Sequence, residues 1–238
     1  MIRFFSESMV IMMFNYTLKR SKRKTLALLI HNGVVEVRAP LRMPKRYIEE
    51  FILSKTEWIT KKLAASNRQQ DLRENFNLNY GDQILYRGWE YPILEKYGNK
   101  VGFDEEQKYF YLPPDLNSGQ IMQACIKIYR TLAKKHLTAK TSDFAELMSL
   151  KPSAVKINSA KTRWGSCSSK KNINFSWRLI MASDEVIDYV VVHELAHIKE
   201  MNHSERFWAV VEGVLPDFKK RKKQLRELQK KLMKEDWG

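Results

Sequence analysis

Apolar and polar positions change their period several times along this chain, and each change marks an element. Between 14 and 39, FNYTLKRSKRK leads into TLALLI and, past His31, Asn32 and Gly33, into VVEVRA. The alternation predicts two strands with a hairpin turn at Asn32 and Gly33, and places Lys19, Arg20, Lys22, Arg23 and Lys24 in a basic loop before them. Pro40 and Pro44 punctuate, and Tyr47, Ile48, Phe51, Ile52, Trp58, Ile59 and Leu63 then recur at helical spacing to about Ser66, an aromatic stripe expected in the core. The polar stretch NRQQDLREN at 67–75 reads as a linker.

Residues 76–112 predict two short hairpins, and Ile121, Cys125, Ile128, Leu132 and Leu137 a long amphipathic helix to about Leu147, with Cys125 as packing. At 155–180, VKI leads through KTRWGSCSSKKN to a strand in which Ile173, Phe175, Trp177 and Leu179 alternate with polar residues. This hairpin is a candidate edge for an extended peptide. Residues 186–198 are apolar nearly all round, which predicts a buried helix. The tail from Asp217 carries Leu225, Leu228 and Leu232 on one helical face and lysines on the others, either a charged surface or a nucleic-acid contact.

Composition narrows the class. A chain of 238 residues has ample length for a core, and its net charge of +15 suits nucleic acid, acidic proteins or a solubilising surface without choosing among them. Two cysteines, Cys125 and Cys167, are too few for a disulfide framework and suggest free thiols in a reducing compartment. The apolar run MVIMMF at 9–14 is too short for a signal peptide, and Met9 is an alternative start. No stretch approaches the ~20 apolar residues of a membrane span, so a soluble cytoplasmic protein with no membrane partner is expected. Phosphate-binding glycine loops, a dinucleotide fingerprint and CxxC pairs are absent, which removes nucleotide cofactors and zinc ribbons.

Chemistry concentrates in YVVVHELAHIKEMNHSERFW at 189–208, which holds three of the five histidines. His193 and His197 are four apart and share one helical face, the HExxH spacing in which two neutral imidazoles bind Zn2+. Zinc lowers the pKa of bound water from about 16 to roughly 7, and Glu194 is placed to act as general base. His203 is the third ligand only if the helix stops first, since an unbroken helix would carry it about 15 Å from His193 while zinc to nitrogen distances are about 2.1 Å. Asn202 is the expected stop, through a left-handed conformation, with Ser204 capping a new helix from Glu205 that carries Phe207, Trp208 and Val211. Metzincins share the spacing but have glycine where this chain has Glu200, and Met233 is its only later methionine. A buried helix with an uncompensated Glu194 would be costly, which favours a metal over coincidence.

Arg163, Trp164, Gly165 and Asn174 are candidate substrate or oxyanion contacts. Arg163 either steadies an oxyanion or, the reading favoured here, anchors an acidic side chain of the motif helix, and Gly165 allows close approach of another backbone. Cys167 as a fourth ligand would close the site. His31 and His136 are left out of the ligand set.

At RWGSC (163–167), NFSWRLI (174–180), DYVVVHELAHIKEMNHSERFW (188–208) and PDF (216–218), the chain resembles the YgjP-like metallopeptidase family. VRAP, KTEWI and ILYRGWEYPI extend the likeness toward the front. The resemblance implies Zn2+ on His193, His197 and His203, catalysis by Glu194, and a protein or peptide substrate. It also implies distant kinship with SprT and WLM peptidases, some of which cleave proteins crosslinked to DNA. The expected fold class is α+β, a β-rich N-terminal part with a C-terminal zincin-like part of minimal gluzincin type. Three segments are expected: a hairpin and helix at 1–75, hairpins at 76–118 and the catalytic domain at 119–238. The competing function is a zinc-stabilised basic nucleic-acid-binding module without hydrolase activity; hydrolysis of a non-peptide amide would look the same in sequence.

Overall fold

The structure, a computed structural model, describes residues 15–31 and 33–238; the run at 9–14 and Asn32, on which two of the expectations above fall, lie outside the described residues. The protein is α+β and forms two compact units, the first running to Phe76 and including Met233–Asp236, the second comprising Asn77–Leu232 with Trp237–Gly238.

In the first unit, β1 (Tyr16–Ser21), β2 (Ala27–His31) and β3 (Val34–Pro40) form a sheet in the order β1-β3-β2. β2 and β3 make the expected antiparallel pair, but the leading segment is a third strand, parallel to β3, with Tyr16 opposite Val35. Lys19 and Arg20 therefore lie in a strand and not in a loop. Lys19 pairs with Glu36 at 2.5 Å, and the Arg20 guanidinium donates to the carbonyls of Pro40, Leu41 and Met43 at 3.1, 3.1 and 2.8 Å. The expected single helix is two, α1 (Lys45–Ser54) and α2 (Thr56–Glu74), broken at Lys55. α2 takes in residues 67–74, expected as a linker, because Arg, Gln and Glu are good helix formers. The period-2 face Val35, Val37 and Ala39 meets Ile48, Ile52 and Ile59 in the core. Tyr47 and Trp58, expected inside, are 58% and 43% exposed: the aliphatic positions alone fill the space.

In the second unit, β4 (Gln83–Tyr86), β5 (Trp89–Glu95), β6 (Gly102–Asp104) and β7 (Tyr109–Leu112) form two hairpins joined by a parallel β5–β7 pair, in the order β4-β5-β7-β6. α3 (Ser118–Leu147) follows, started by a capping box between Asn117 and Gln120. A third sheet holds β8 (Ala154–Asn158), β9 (Gly165–Cys167) and β10 (Asn172–Ser176), with β10 central, parallel to β8 and antiparallel to β9. The strand ends at Ser176, earlier than its alternation predicts, because Trp177–Met181 coil into a 3-10 turn that buries every one of its residues, Arg178 included. Trp177 stacks on Tyr129 at 5.6 Å; Arg178 lies 4.4 Å over Trp177 and donates to the Gly238 carbonyl at 3.0 Å, which seats Trp237 against Tyr129. α4 (Asp184–Ala196), α5 (Glu205–Val214) and α6 (Phe218–Leu232) complete the unit, and α4 packs on α3, on β9 and on α6.

Two contacts fix where α4 begins. Arg87, at φ 50°, grips Asp184 with both arms of its guanidinium, and His136 on α3 meets the same carboxylate at 3.1 Å. Arg87 and Gly88 also donate their backbone N–H groups to Ile180 and Met181, at 2.9 and 3.2 Å. Gly88 is required here: its φ is 84°, and a Cβ would lie 2.9 Å from that of Ser183.

Candidate metal centre

α4 is apolar nearly all round, as Val186, Ile187, Val190, Val191, Val192 and Leu195 are all buried, so the polar residues His193 and Glu194 enter a dry setting. α4 ends at Ala196, six residues before the expected stop at Asn202. Asn202 does not adopt the left-handed conformation; the chain leaves through a tight turn in which Ile198 and Lys199 donate to Leu195 and Ala196 at 2.9 and 3.0 Å. Ser204 then caps α5 as expected, its hydroxyl accepting from the Phe207 N–H at 3.4 Å. His203 is held in the elbow between the helices.

The elbow folds His203 back on the motif. Among the described residues, His193, His197 and His203 are the one group of His, Cys, Asp or Glu whose ligand atoms converge, all within 4.8 Å of one another. The Nε2 atoms of His193 and His203 are 3.1 Å apart. A tetrahedral ion about 2.1 Å from each nitrogen would separate them by about 3.4 Å, so the spacing fits a metal. His197 is oriented by its Nδ1, 3.1 Å from the Glu200 carbonyl, which leaves Nε2 for a ligand. The side chain of Glu200 is not needed for this, so the departure from the metzincin glycine is tolerated. Protonation also favours metal. Burial, with the charges of His197, His203 and Lys222, pushes His193 down to about 3, and burial lowers His197. Both rings are neutral donors at physiological pH. Phe207 packs on all three rings, at 4.9, 4.5 and 4.8 Å, and Trp208 stacks on His203 at 5.7 Å.

Glu194 is buried, and its carboxyl lies against β9. Gly165 makes this possible: a Cβ there would sit 2.5 Å from Glu194 Oε1 and 2.7 Å from its Cγ. The glycine thus admits a side chain, where another backbone was expected. Burial pushes the Glu194 carboxyl up to about 8, and the charge of Arg163 opposes the rise. Arg163 itself is exposed. Trp164 serves the sheet through its carbonyl, which accepts the Ser176 N–H at 2.8 Å. Asn174 pairs in register with Ser166, on the sheet face opposite Gly165 and Glu194, so the structure does not bring it to the centre. Cys167 stays outside the histidine group; burial and the nearby Glu194 raise its thiol. Arg87, Asp184 and Lys222, none of them singled out in the sequence, and His136, set aside there as a ligand, bear on the centre through α4 and Trp208. They are far apart along the chain and leave no local signal.

Solved structures similar to part of the chain include two metallopeptidase zymogens. The metallopeptidase zymogen abylysin of Pyrococcus abyssi is 24% identical over 42% of this chain and 97% of its own, with a TM-score of 0.37. Jannalysin of Methanocaldococcus jannaschii, also a metallopeptidase zymogen, is 20% identical over 41% and 93%, with a TM-score of 0.33. No curated protein matches. A family model, the YgjP-like metallopeptidase domain, matches residues 24–228. With the match running through every element from β2 to most of α6, the chain belongs to the YgjP-like metallopeptidase family.

Proposed function

We propose that this metallopeptidase is zinc-dependent, with His193, His197 and His203 as ligands and Glu194 as the proton relay, and that 119–238 is its catalytic part. The observation that carries the reading is the convergence of three imidazoles beside a buried carboxyl for which Gly165 has left room. Zinc held there would supply Lewis acidity, both to water and to the scissile carbonyl. Glu194 takes the proton from that water and passes it to the leaving amine. Burial tunes the carboxyl toward neutral pH, where a base and an acid of one group are both competent, and Arg163 keeps it from rising further. β9 is an edge strand next to Glu194, which supports an extended peptide laid along it. Exposed Arg163, just before β9, is then available to the oxyanion.

The net charge of +15 supports targets that include proteins held on nucleic acid. No described helix is long and apolar enough to cross a membrane, and two free thiols suit the reducing cytoplasm. One observation favours a second reading: α6 carries eight basic residues and one acidic, as a nucleic-acid-binding module would.

Elemental analysis of the wild type beside His203→Ala and Glu194→Gln tests the assignment. One zinc per chain is expected in the wild type and in Glu194→Gln, with zinc lost or much weakened in His203→Ala and peptide turnover abolished in Glu194→Gln. Metal-replete protein without zinc would overturn the ligand set. Salt-dependent DNA affinity untouched by Glu194→Gln, with no cleavage of any peptide, would select the second reading.

A further inference from the structure

The histidine cluster has a cationic side on which, among the described residues, Lys222 forms no ion pair with a carboxylate. α6 presents two kinds of basic residue to its neighbours. Arg221 is committed to structure: it pairs with Asp217 at 2.8 Å, lies 3.8 Å from Asp188 and donates to the Glu185 carbonyl at 3.0 Å, tying α6 to α4. Lys222, the next residue, points elsewhere. Its ammonium lies 4.4 Å over the ring of Trp208, and that ring stands 5.7 Å from His203 and 5.9 Å from His193. Phe218, one turn earlier on α6, stacks on Trp208 at 5.3 Å and fixes the platform. These steps hold the ammonium within about 10 Å of the His203 ring, about one Debye length at 0.1 M salt.

Two more cations extend the same character. Arg226 is one turn after Lys222 on α6, and exposed Arg163 precedes by two residues Gly165, against which the Glu194 carboxyl lies. Among the described residues, no carboxylate forms an ion pair with Lys222, Arg226 or Arg163, although Lys140, Lys219, Arg221 and Lys230 all have one. The nearby acids Glu200 and Glu205 line a 450 Å³ cleft with Asn202, Ser204 and Arg206, and Lys222 is not part of it. A partly buried lysine resting on an aromatic platform, with its charge unanswered, is a waiting half of an ion pair.

We propose that Lys222, supported by Arg226 and Arg163, makes the centre selective for peptides that carry an aspartate or glutamate within about two residues of the scissile bond, an extended chain advancing about 3.4 Å per residue. This inference rests on the metallopeptidase reading above and adds the substrate class to it. Lys222 is a specificity residue: it meets the substrate's carboxylate and takes no part in the proton relay.

The test is binding by the zinc-loaded protein, so that turnover is not required. Peptide hydroxamates, with Asp or its isostere Asn at the first or the second residue from the hydroxamate, are titrated by calorimetry. At one of the two positions the Asp compound should bind about fivefold tighter than the Asn compound, the worth of one exposed ion pair, and the ratio should shrink at 0.5 M salt. Lys222→Gln should bring the ratio to about one while leaving Asn affinity unchanged, and Lys222→Arg should keep it. Equal binding of the two compounds at both positions, or a ratio unmoved in Lys222→Gln, overturns the proposal. If an oligonucleotide competes both compounds off through Lys222, the cations serve nucleic acid and the proposal is overturned as well. If neither compound binds the zinc-loaded protein, the failure lies with the metal centre itself, and the proposal falls with it.

Discussion

Replacing Gly165 with alanine isolates the seat of the Glu194 carboxyl. Gly165 is in β9 without a positive φ, so on backbone grounds alone the alanine would stabilise the fold by about 0.4–1 kcal/mol. The new Cβ, however, meets Glu194 Oε1 at 2.5 Å, Cγ at 2.7 Å and Cδ at 2.8 Å, which are its three nearest neighbours. Overpacking of that kind costs about 1–3 kcal/mol, so the net effect should be a loss of about 0.5–2 kcal/mol. All of it runs through one side chain. In a Glu194→Ala background the three atoms are gone, and the same alanine should become neutral or stabilising. Urea unfolding of the four metal-free proteins gives the coupling directly, expected at about 1–3 kcal/mol. On the proposed assignment, zinc should survive in Gly165→Ala because the three histidines are untouched, while a carboxylate moved by about 1 Å should lower peptide turnover about a hundredfold. An equal cost of Gly165→Ala in both backgrounds would refute the argument, for it would mean that something other than Glu194 occupies the space.

The metal-free protein should show an unusual dependence of stability on pH. Glu194 rises from 4.5 to about 8 on folding, so its contribution is complete below pH 4.5 and lost as pH climbs to 8; His193 falls from 6.5 to about 3, so its contribution is complete above pH 6.5 and lost as pH falls to 3. The two slopes cancel between 4.5 and 6.5, and from 6.5 to 8 the glutamate alone removes about 2 kcal/mol. Denaturant titrations should find that fall in the wild type and not in Glu194→Gln; a wild type flat from pH 6.5 to 8 would contradict the burial of the carboxyl. Trp237→Ala should cost about 3–5 kcal/mol by thermal or urea unfolding, since the ring is 4% exposed among Tyr129 and Trp177. A cost under about 1 kcal/mol would show that the tail is not seated there.

Local information in the sequence was sufficient wherever neighbours in the chain are neighbours in space. The i, i+4 histidines, the Ser204 cap and the long α3 depend on contacts within a few residues, and their spacing states them. Pairing across the chain left less trace. Nothing in YTLKRS says that it will lie parallel to β3, because a parallel partner is chosen by the sheet and not by a turn. The polar residues 67–74 looked like a linker because hydrophobic period is the main signal, yet helix propensity alone carries α2 through them. The strand alternation continued on paper through Leu179, but Trp177 and Arg178 are both buried, which a one-faced strand cannot arrange. Gly165 was conspicuous without its partner being readable: Glu194 is brought to it only when α4 packs on β9.

The elbow at His203 separates two events that a folding chain must complete. All three imidazoles come from eleven consecutive residues, so chelation closes loops of only a few residues and each closure costs little entropy, about 1–2 kcal/mol. A nascent or partly unfolded segment is therefore expected to capture its ion early, as soon as the first turns of α4 exist. Glu194 cannot be seated so early, because its berth at Gly165 belongs to a strand that must first join β10. On the proposed ligand set, loading would precede competence, and a chain still assembling would carry its metal before it could cut.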